Sequence, residues 1–361
     1  VVLGMGYTYG QALVVVFISG VFFIVITAIG LREAIIRSIP DAVKTAITPG
    51  IGLFITIIGL KNAGIVISNP ATLVSLVDFS QWKIEGADLA LMSSALVALA
   101  GLVIMGMLHA RKVKGSILLG IVAATLIGIP LGVTHISNLD MNIGMKFRDF
   151  AEVSFMKMDF AGLFSGANMV ETIFTVTMLV ISFSLVNMFD SIGTLLGAAK
   201  QSGMIDENGE VIRMKQALMS DAISTAAGAM VGTSTVTTVV ESSAGIAAGG
   251  RTGLTSLVTA LMFLGAILFA PIVSIVPAAA TAPALIFVGI LMLGNIRDVD
   301  FSDMSNALPA FCTIVFMPFT YSIANGVAFG LITYCLMKLT TGRRQDVKIL
   351  TLAISVVFVV R

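Results

Sequence analysis

Charged side chains are scarce in this sequence. They account for 11% of its 361 residues, while hydrophobic residues account for 57%. A soluble globular domain carries roughly a quarter charged residues. The chain is therefore predicted to be a polytopic membrane protein in contact with a lipid bilayer, with no room for a sizeable soluble domain.

The sequence also has no excess charge of one sign, only two cysteines and no recognisable signal peptide. A net charge of +1 argues against a nucleic-acid partner, because binding a phosphate backbone needs a basic face. Cys312 and Cys335 are too few for a disulfide framework and are interpreted as small core residues. The sequence begins at Val1 without a charged n-region, which predicts a fragment of a longer protein.

Apolar runs bounded by charges, glycine or proline give the candidate membrane segments. They fall at 10–30, 45–64, 88–108, 115–133, 171–198, 216–232, 239–249, 254–275, 281–296, 307–322, 324–340 and 347–360. The run at 239–249 is too short to span a bilayer, and transporters place such interrupted segments at their binding sites. Whether 347–360 crosses the membrane or lies on it stays open at this point.

Lysine and arginine collect in alternate loops. Fifteen of them fall in the loops at 31–44, 109–114, 199–215, 250–253, 297–306 and 338–348, and five fall in the others, with Arg361 at the end. Because cytoplasmic loops are enriched in these residues, the first set is predicted to be cytoplasmic, and with it the C-terminus.

A weak internal repeat relates the two halves of the chain. Ile39-Pro40 and Val276-Pro277 introduce similar segments, and 115–122 is echoed at 326–333. Equivalent segments face opposite ways in the predicted topology, which is the inverted-repeat plan of secondary transporters. The opening residues would then match 243–257, which predicts that two and a half segments precede them.

Two acidic residues interrupt apolar runs, where a charge costs about 2.5 to 3.5 kcal/mol and is functional by default. Asp190 shares a helical stripe with Asn187, Ser191 and Thr194, at spacings that place them on one face. This face is predicted to line a polar cavity. The alternative is that the acids are structural and that the small polar residues only join helices.

Glu241 is the second acid, and it follows a run rich in β-branched residues. Residues 233–240 disfavour a continuous helix, so a half-helix is predicted to start near Val239 or Val240. Its free N–H groups would lie beside Glu241 and Ser242. A purine edge, with neighbouring donors and acceptors, fits a carboxylate beside such N–H groups. Asp221, by contrast, is interpreted as a helix start at the membrane interface.

Two segments carry a family resemblance. Asn187-Met-Phe-Asp190-Ser-Ile-Gly-Thr194 and the segment from Gly232 to Gly245 resemble those of the AzgA-like purine permeases, a branch of the nucleobase:cation symporter-2 group. The likeness continues through Asn306 to Phe311 and Phe316 to Gly326 and covers essentially the whole chain. It implies an all-α, fourteen-segment, seven-plus-seven inverted-repeat transporter with core and gate domains, two broken half-helices and short extended segments.

The resemblance also implies a substrate and a site. The substrate would be adenine, guanine or hypoxanthine carried with protons across the plasma membrane, with no metal or organic cofactor, and a homodimer is an allowed assembly. Asp190 and Glu241 would bind substrate and couple protons. The other substrate-binding candidates are Asn187, Thr194, Thr238, Val240 and Ser242. Relatives commonly have an acid in place of Asn187, and the first segments of the fold are absent here.

One transporter domain, 1–361, is expected on these grounds. It divides into the remainder of the first repeat (1–133), an extracytoplasmic loop (134–170), the second repeat (171–340) and a tail with an extra apolar segment (341–361). The alternative transport function is an anion exchanger of the related sulfate-carrier type, which two buried acids disfavour. An enzyme is not expected, since no catalytic or cofactor motif is present, and a channel would favour rings of identical residues.

Overall fold

The computed structural model describes residues 7–80, 89–135, 148, 150–164, 169–207, 211–239, 242–247, 249–268 and 275–360. Most of these residues are helical. The helices are α1 Tyr9–Ala28, α2 Leu31–Ser38, α3 Asp41–Asn62, α4 Leu89–Ala110, α5 Ser116–Gly128, α6 Phe160–Phe164, α7 Met169–Ser202, α8 Met214–Val231, α9 Ser242–Ala247, α10 Gly253–Leu268, α11 Ala278–Leu293, α12 Met304–Thr320, α13 Ile323–Thr340 and α14 Ile349–Val360. Strands β1 Val66–Asn69 and β2 Leu73–Leu76 lie between α3 and α4.

Several helices have the length and composition of membrane spans. Within the described residues five qualify, namely α1, α3, α4, α13 and α11 with its extension to Asp298. About 20 apolar residues suffice to cross a hydrocarbon core of about 30 Å. The multi-pass prediction is therefore confirmed. The described residues of helix α14 number 12, about 18 Å at 1.5 Å per residue.

Contacts along the chain define two compact units. The first unit contains the described residues of Val1–Thr48, Asn142–Ser242 and Asp298–Arg361, and the second contains those of Pro49–Met141 and Ser243–Arg297. The boundary between Thr48 and Pro49 falls inside α3.

Close helix packing organises the first unit. Helix α1 lies against α8 at Gly20, where an added Cβ would be 2.6 Å from the backbone nitrogen of Ala226. One hydrogen bond between buried hydroxyls, 3.0 Å long, joins Ser19 of α1 to Ser184 of α7. Both contacts need small side chains at the interface, as is typical of helices that pack in membranes.

In the second unit, α4, α5 and α11 enclose an apolar core. Val97, Ala124, Ala279 and Ala280 form one buried cluster between them. Pro40 and Pro277, the prolines of the weak repeat, directly precede α3 and α11. The seven-plus-seven repeat itself stays a prediction.

A short β-hairpin lies between α3 and α4 in this mostly helical structure. Strands β1 and β2 pair antiparallel, with Val66 opposite Leu76 and Asn69 opposite Leu73. The Asn69 side chain accepts a hydrogen bond of 2.8 Å from the Ala71 N–H and so closes the turn. β-Branched residues beside an Asn-Pro turn are a hairpin signal, and the segmentation by apolar runs overlooked it.

The described part of the 134–170 loop is attached to two helices. The Met156 N–H donates to the Met230 carbonyl at the end of α8 (2.8 Å), and the Asp159 N–H donates to the Gly10 carbonyl of α1 (3.2 Å). Most of residues 150–164 is exposed. The loop is therefore exposed yet fixed by backbone hydrogen bonds at its middle.

Candidate functional site

The polar face predicted on α7 is buried. Asn187, Ser191 and Thr194 are 4%, 0% and 7% exposed. The Thr194 hydroxyl donates to the Ser191 carbonyl at 3.1 Å. Asp190 lies in the same helix, and its side chain is outside the described residues. The structure thus brings Asn187, Ser191 and Thr194 together on one buried face.

A buried ion pair supports this face. Ser191 Oγ donates to Asp221 Oδ1 of α8 at 2.9 Å, and Arg32 Nη2 of α2 donates to Asp221 Oδ2 at 2.9 Å. Their charged side chains are 0% and 1% exposed. Arg32 also donates to the Leu218 carbonyl at 3.2 Å and lies 4.6 Å above the Phe23 ring. Both carboxylate oxygens of Asp221 are therefore occupied.

The interpretation of Asp221 as a helix start was wrong. Helix α8 begins at Met214, and Asp221 is buried inside it. Burial lowers the pKa of the Arg32 guanidinium, and the hydrogen bond and charge of Asp221 oppose that shift. A buried charge needs such a partner, but Arg32 lies 189 positions earlier in the chain, beyond the reach of local sequence patterns.

The segment that leads to Glu241 is not helical. Helix α8 stops at Gly232, whose φ of 88° is in the left-handed region that glycine adopts without strain. Residues 233–239 form no helix, as the β-branched run predicted, and α9 starts at Ser242. The first described residue of α9 thus lies three residues after Val239 and two after Val240, the predicted starts. Val240 and Glu241 themselves lie outside the described residues.

A side-chain hydrogen bond also attaches helix α8 to this non-helical segment. The Thr225 hydroxyl donates to the Val236 carbonyl at 2.9 Å, and Thr225 itself is fully buried. Thr225 lies four residues after Asp221 and so on the same helix face. One turn of α8 therefore supports both the polar face of α7 and the segment before Glu241.

Two further predicted residues lie along that segment. Thr238 is half-buried and Ser242 is exposed. The Ser242 N–H donates to the Val239 carbonyl at 3.2 Å. These contacts fix the backbone on both sides of the two residues that the structure leaves undescribed.

The Asn187 side chain has an unused donor. Its Nδ2 atom is buried and has no hydrogen-bond partner. Buried polar groups are nearly always paired, so an exception calls for an explanation. A bound ligand with a hydrogen-bond acceptor would supply the missing partner.

Sequence reasoning missed three supporting residues, namely Arg32, Asp221 and Thr225. A signal for Asp221 was present, because it interrupts the apolar run at 216–232 just as Asp190 interrupts its own. Arg32 and Thr225 carried no comparable signal. Within the described ranges, no group of three or more His, Cys, Asp or Glu residues could hold a metal ion.

Membrane-crossing helices, a buried polar face and a break in the helix beside it define the class of this protein as a multi-pass membrane transporter. The chain belongs to a family described as the Permease family, whose sequence model, Xan_ur_permease, matches residues 1–329. Proteins of this family are transporters rather than enzymes.

Relatives agree with this assignment. The chain is 38% identical to adenine permease AdeP of Escherichia coli over 361 residues, which cover 100% of the chain and 76% of the relative. It is 37% identical to guanine/hypoxanthine permease PbuO of Bacillus subtilis over 367 residues, which cover 99% and 78%. The suspected family is thereby confirmed.

A solved structure shares the fold. The transmembrane domain of the cyanobacterial bicarbonate transporter BicA matches with a TM-score of 0.56 at 17% identity, covering 90% of this chain and 77% of that domain. At this identity the likeness concerns the fold alone.

Proposed function

We propose that this protein carries purine nucleobases together with protons across the plasma membrane by alternating access, with its C-terminus in the cytoplasm. Relatives named for adenine and for guanine and hypoxanthine support the substrate class. The observation that carries the proposal is the unpaired Asn187 amide on the buried face of α7.

The chemistry of a purine suits this face. A purine presents donors and acceptors along one planar edge, and an amide beside a carboxylate can pair with both kinds. Asn187 would donate to a ring nitrogen or carbonyl, and Asp190 and Glu241 would accept from ring or exocyclic N–H groups. Thr194, Thr238, Val240 and Ser242 would complete the site, with Glu241 and Asp190 coupling the protons.

Alternating access needs a part of the protein that moves separately. The proposed gate consists of the segments at 45–64, 254–275 and 281–296. From Pro49 onward, its described residues belong to the second compact unit, while Asn187 and Thr238 belong to the first. This division supports a core and a gate. The repeat boundaries at 133, 170 and 340 and a homodimer stay predictions.

Ligand-dependent thermal shift of the purified protein tests the substrate class. Adenine, guanine or hypoxanthine should raise the melting temperature, because a ligand that binds only the folded state stabilises it by mass action, and sulfate at equal concentration should not. An anion exchanger of the sulfate-carrier type would give the reverse result. Stabilisation by sulfate alone would overturn the proposal.

A further inference from the structure

The non-helical segment 233–239 depends for its position on the residue that precedes it. After Gly232 the chain runs back along α8, since the Val236 carbonyl accepts a hydrogen bond of 2.9 Å from Thr225 and a Cβ added at Gly228 would collide with the Val236 side chain. Gly232 makes this reversal with a φ of 88°. A displacement of Gly232 would therefore be transmitted to the whole segment and to the proposed purine site.

A short stretch of the 134–170 loop contacts the chain at this reversal. We call this stretch, residues 154–163, the strap. The Met156 N–H donates to the Met230 carbonyl at 2.8 Å, and a Cβ added at Gly232 would collide with the carbonyl oxygen of Ser154. The strap therefore fixes the end of α8 through its own backbone.

Tyr9 contacts the same point from the start of α1. Its hydroxyl donates to the Gly232 carbonyl. Beside this bond, α1 and the strap are joined to each other, because the Asp159 N–H donates to the Gly10 carbonyl at 3.2 Å. One side-chain contact and one backbone contact therefore meet where the substrate segment begins.

The strap is itself anchored in the first compact unit. Leu163 is buried in an apolar cluster with side chains of α1 and α7, and Phe160 meets the Phe17 ring of α1 edge-on, with 6.2 Å between the ring centroids. Met156 has a φ of 55°, a left-handed conformation that residues with a Cβ seldom adopt. Such a conformation persists only where the surrounding contacts hold it in place. The strap is thus a fixed support for Gly232.

We propose that Tyr9 is a positioning residue for purine binding and that it acts through Gly232, together with the strap. The inference rests on the proposed purine transport. With the Tyr9 hydroxyl bonded to Gly232, residues 233–239 are already held in the conformation that binds the base. Without this bond, only a fraction of the molecules have that conformation, and the apparent affinity falls by the same fraction. Tyr9 does not need to touch the base.

Initial rates of radiolabelled purine uptake by the product of the complete gene, measured over a range of purine concentrations, test this role. Tyr9→Phe keeps the ring and removes the hydroxyl. KM should rise roughly two- to tenfold, the equivalent of one net hydrogen bond, while the maximal rate per transporter stays the same. The matched control is Tyr334→Phe in α13, which removes a hydroxyl that donates to the Asp346 carbonyl and should leave KM unchanged.

Two glycine substitutions test the contact with the strap. Gly232→Ala places a methyl group against the Ser154 carbonyl oxygen, whereas Gly203→Ala, at a φ of 70°, meets nothing within 4 Å among the described residues. Both positions are left-handed, so both variants carry a similar backbone strain, and only the first disturbs the strap. KM should rise about fivefold or more in Gly232→Ala, as overpacking predicts, and should not change in Gly203→Ala.

The outcomes distinguish positioning from a purely structural role and from the proposed function. Purine uptake with an unchanged KM in Tyr9→Phe, or an equal rise of KM in Tyr9→Phe and Tyr334→Phe, overturns the positioning role alone. An equal effect of the two glycine variants also overturns it. If Gly232→Ala does not reach the membrane, the tyrosine pair decides. Absence of purine uptake by the unmodified protein overturns the proposed function, and this inference with it.

Discussion

Asn187 and Asp221 are both buried polar residues, and their surroundings give them opposite roles. Asp221 has a partner on each carboxylate oxygen, whereas the Asn187 Nδ2 atom has none. A satisfied buried charge fixes structure, and an unsatisfied donor is free to bind a ligand. Each of these two roles can be tested by substituting that single side chain.

Replacing Asn187 by leucine should separate binding from stability. Because Nδ2 makes no hydrogen bond in the protein alone, the melting temperature of Asn187→Leu should stay the same or rise. Affinity for the purine should fall by up to about tenfold, the equivalent of one net hydrogen bond of about 0.5 to 1.5 kcal/mol. Thermal melting and equilibrium binding of a labelled base measure the two effects.

The matched control is Ser184→Ala on the same helix. Its hydroxyl bonds Ser19, so this change should lower the melting temperature and leave the affinity for the base unchanged. Unaltered purine affinity in Asn187→Leu would remove Asn187 from the site.

Changing Asp221 should cost stability first. Asp221→Asn leaves the Arg32 charge buried without its counter-ion and should reduce the free energy of unfolding by about 3 to 5 kcal/mol. Arg32→Met combined with Asp221→Leu removes both charges and should recover most of that loss. Thermal melting in detergent distinguishes these outcomes. A double variant as unstable as Asp221→Asn would show that the ion pair is not the cause.

The sequence predicted part of this site at the residue scale. Helical spacing was enough to place Asn187, Ser191 and Thr194 on one face, because that relation is local. The Arg32–Asp221 pair depends on how α2 packs against α8, and a single sequence contains no local trace of it. Asp190 and Glu241 keep the roles that the resemblance implies, as predictions.

Helix α8 is the element on which the candidate site depends. It contacts α7 through Asp221, α2 through Arg32 and the non-helical segment through Thr225. On another side it meets α1 at Gly20, where the backbones come so close that a Cβ has no room. Displacement of α8 would therefore disturb all of these elements together.

Glycine substitutions test the contact between α1 and α8. Gly20→Ala places a methyl group 2.6 Å from the Ala226 nitrogen, and such overpacking should destabilise the protein by about 1 to 3 kcal/mol. Gly106→Ala in α4 meets nothing within 4 Å and should stabilise by about 0.5 to 1 kcal/mol. Equal melting temperatures for the two variants would contradict the close packing of these helices.

Most elements were predictable from apolar runs, and the failures have physical causes. The run at 171–198 became α7 and the run at 216–232 became α8, each within a few residues. The hairpin at 66–76 was missed because its strands are short and lie between membrane segments.

At the scale of the whole molecule, composition and charge pattern already predicted a membrane transporter. The low content of charged residues predicts that the chain lies in a lipid bilayer, and the number of apolar runs predicts that it crosses the bilayer several times. The apolar helices and the family match confirm both predictions. The purine substrate was predicted from the family resemblance of the segments around Asp190 and Glu241. The periodicity of the sequence alone would not have predicted a substrate. The direction in which the chain crosses the membrane stays a prediction from its lysines and arginines.

Uptake of radiolabelled purine tests the central claim most directly. The complete gene is expressed in cells that lack their own purine uptake, and initial rates are compared for the unmodified protein and Glu241→Gln across a series of external pH values. We predict saturable uptake that unlabelled adenine or hypoxanthine competes away, that falls as external pH rises, and that Glu241→Gln abolishes or uncouples from pH. Undiminished, pH-dependent uptake by Glu241→Gln, or no purine uptake by the unmodified protein, would contradict the account.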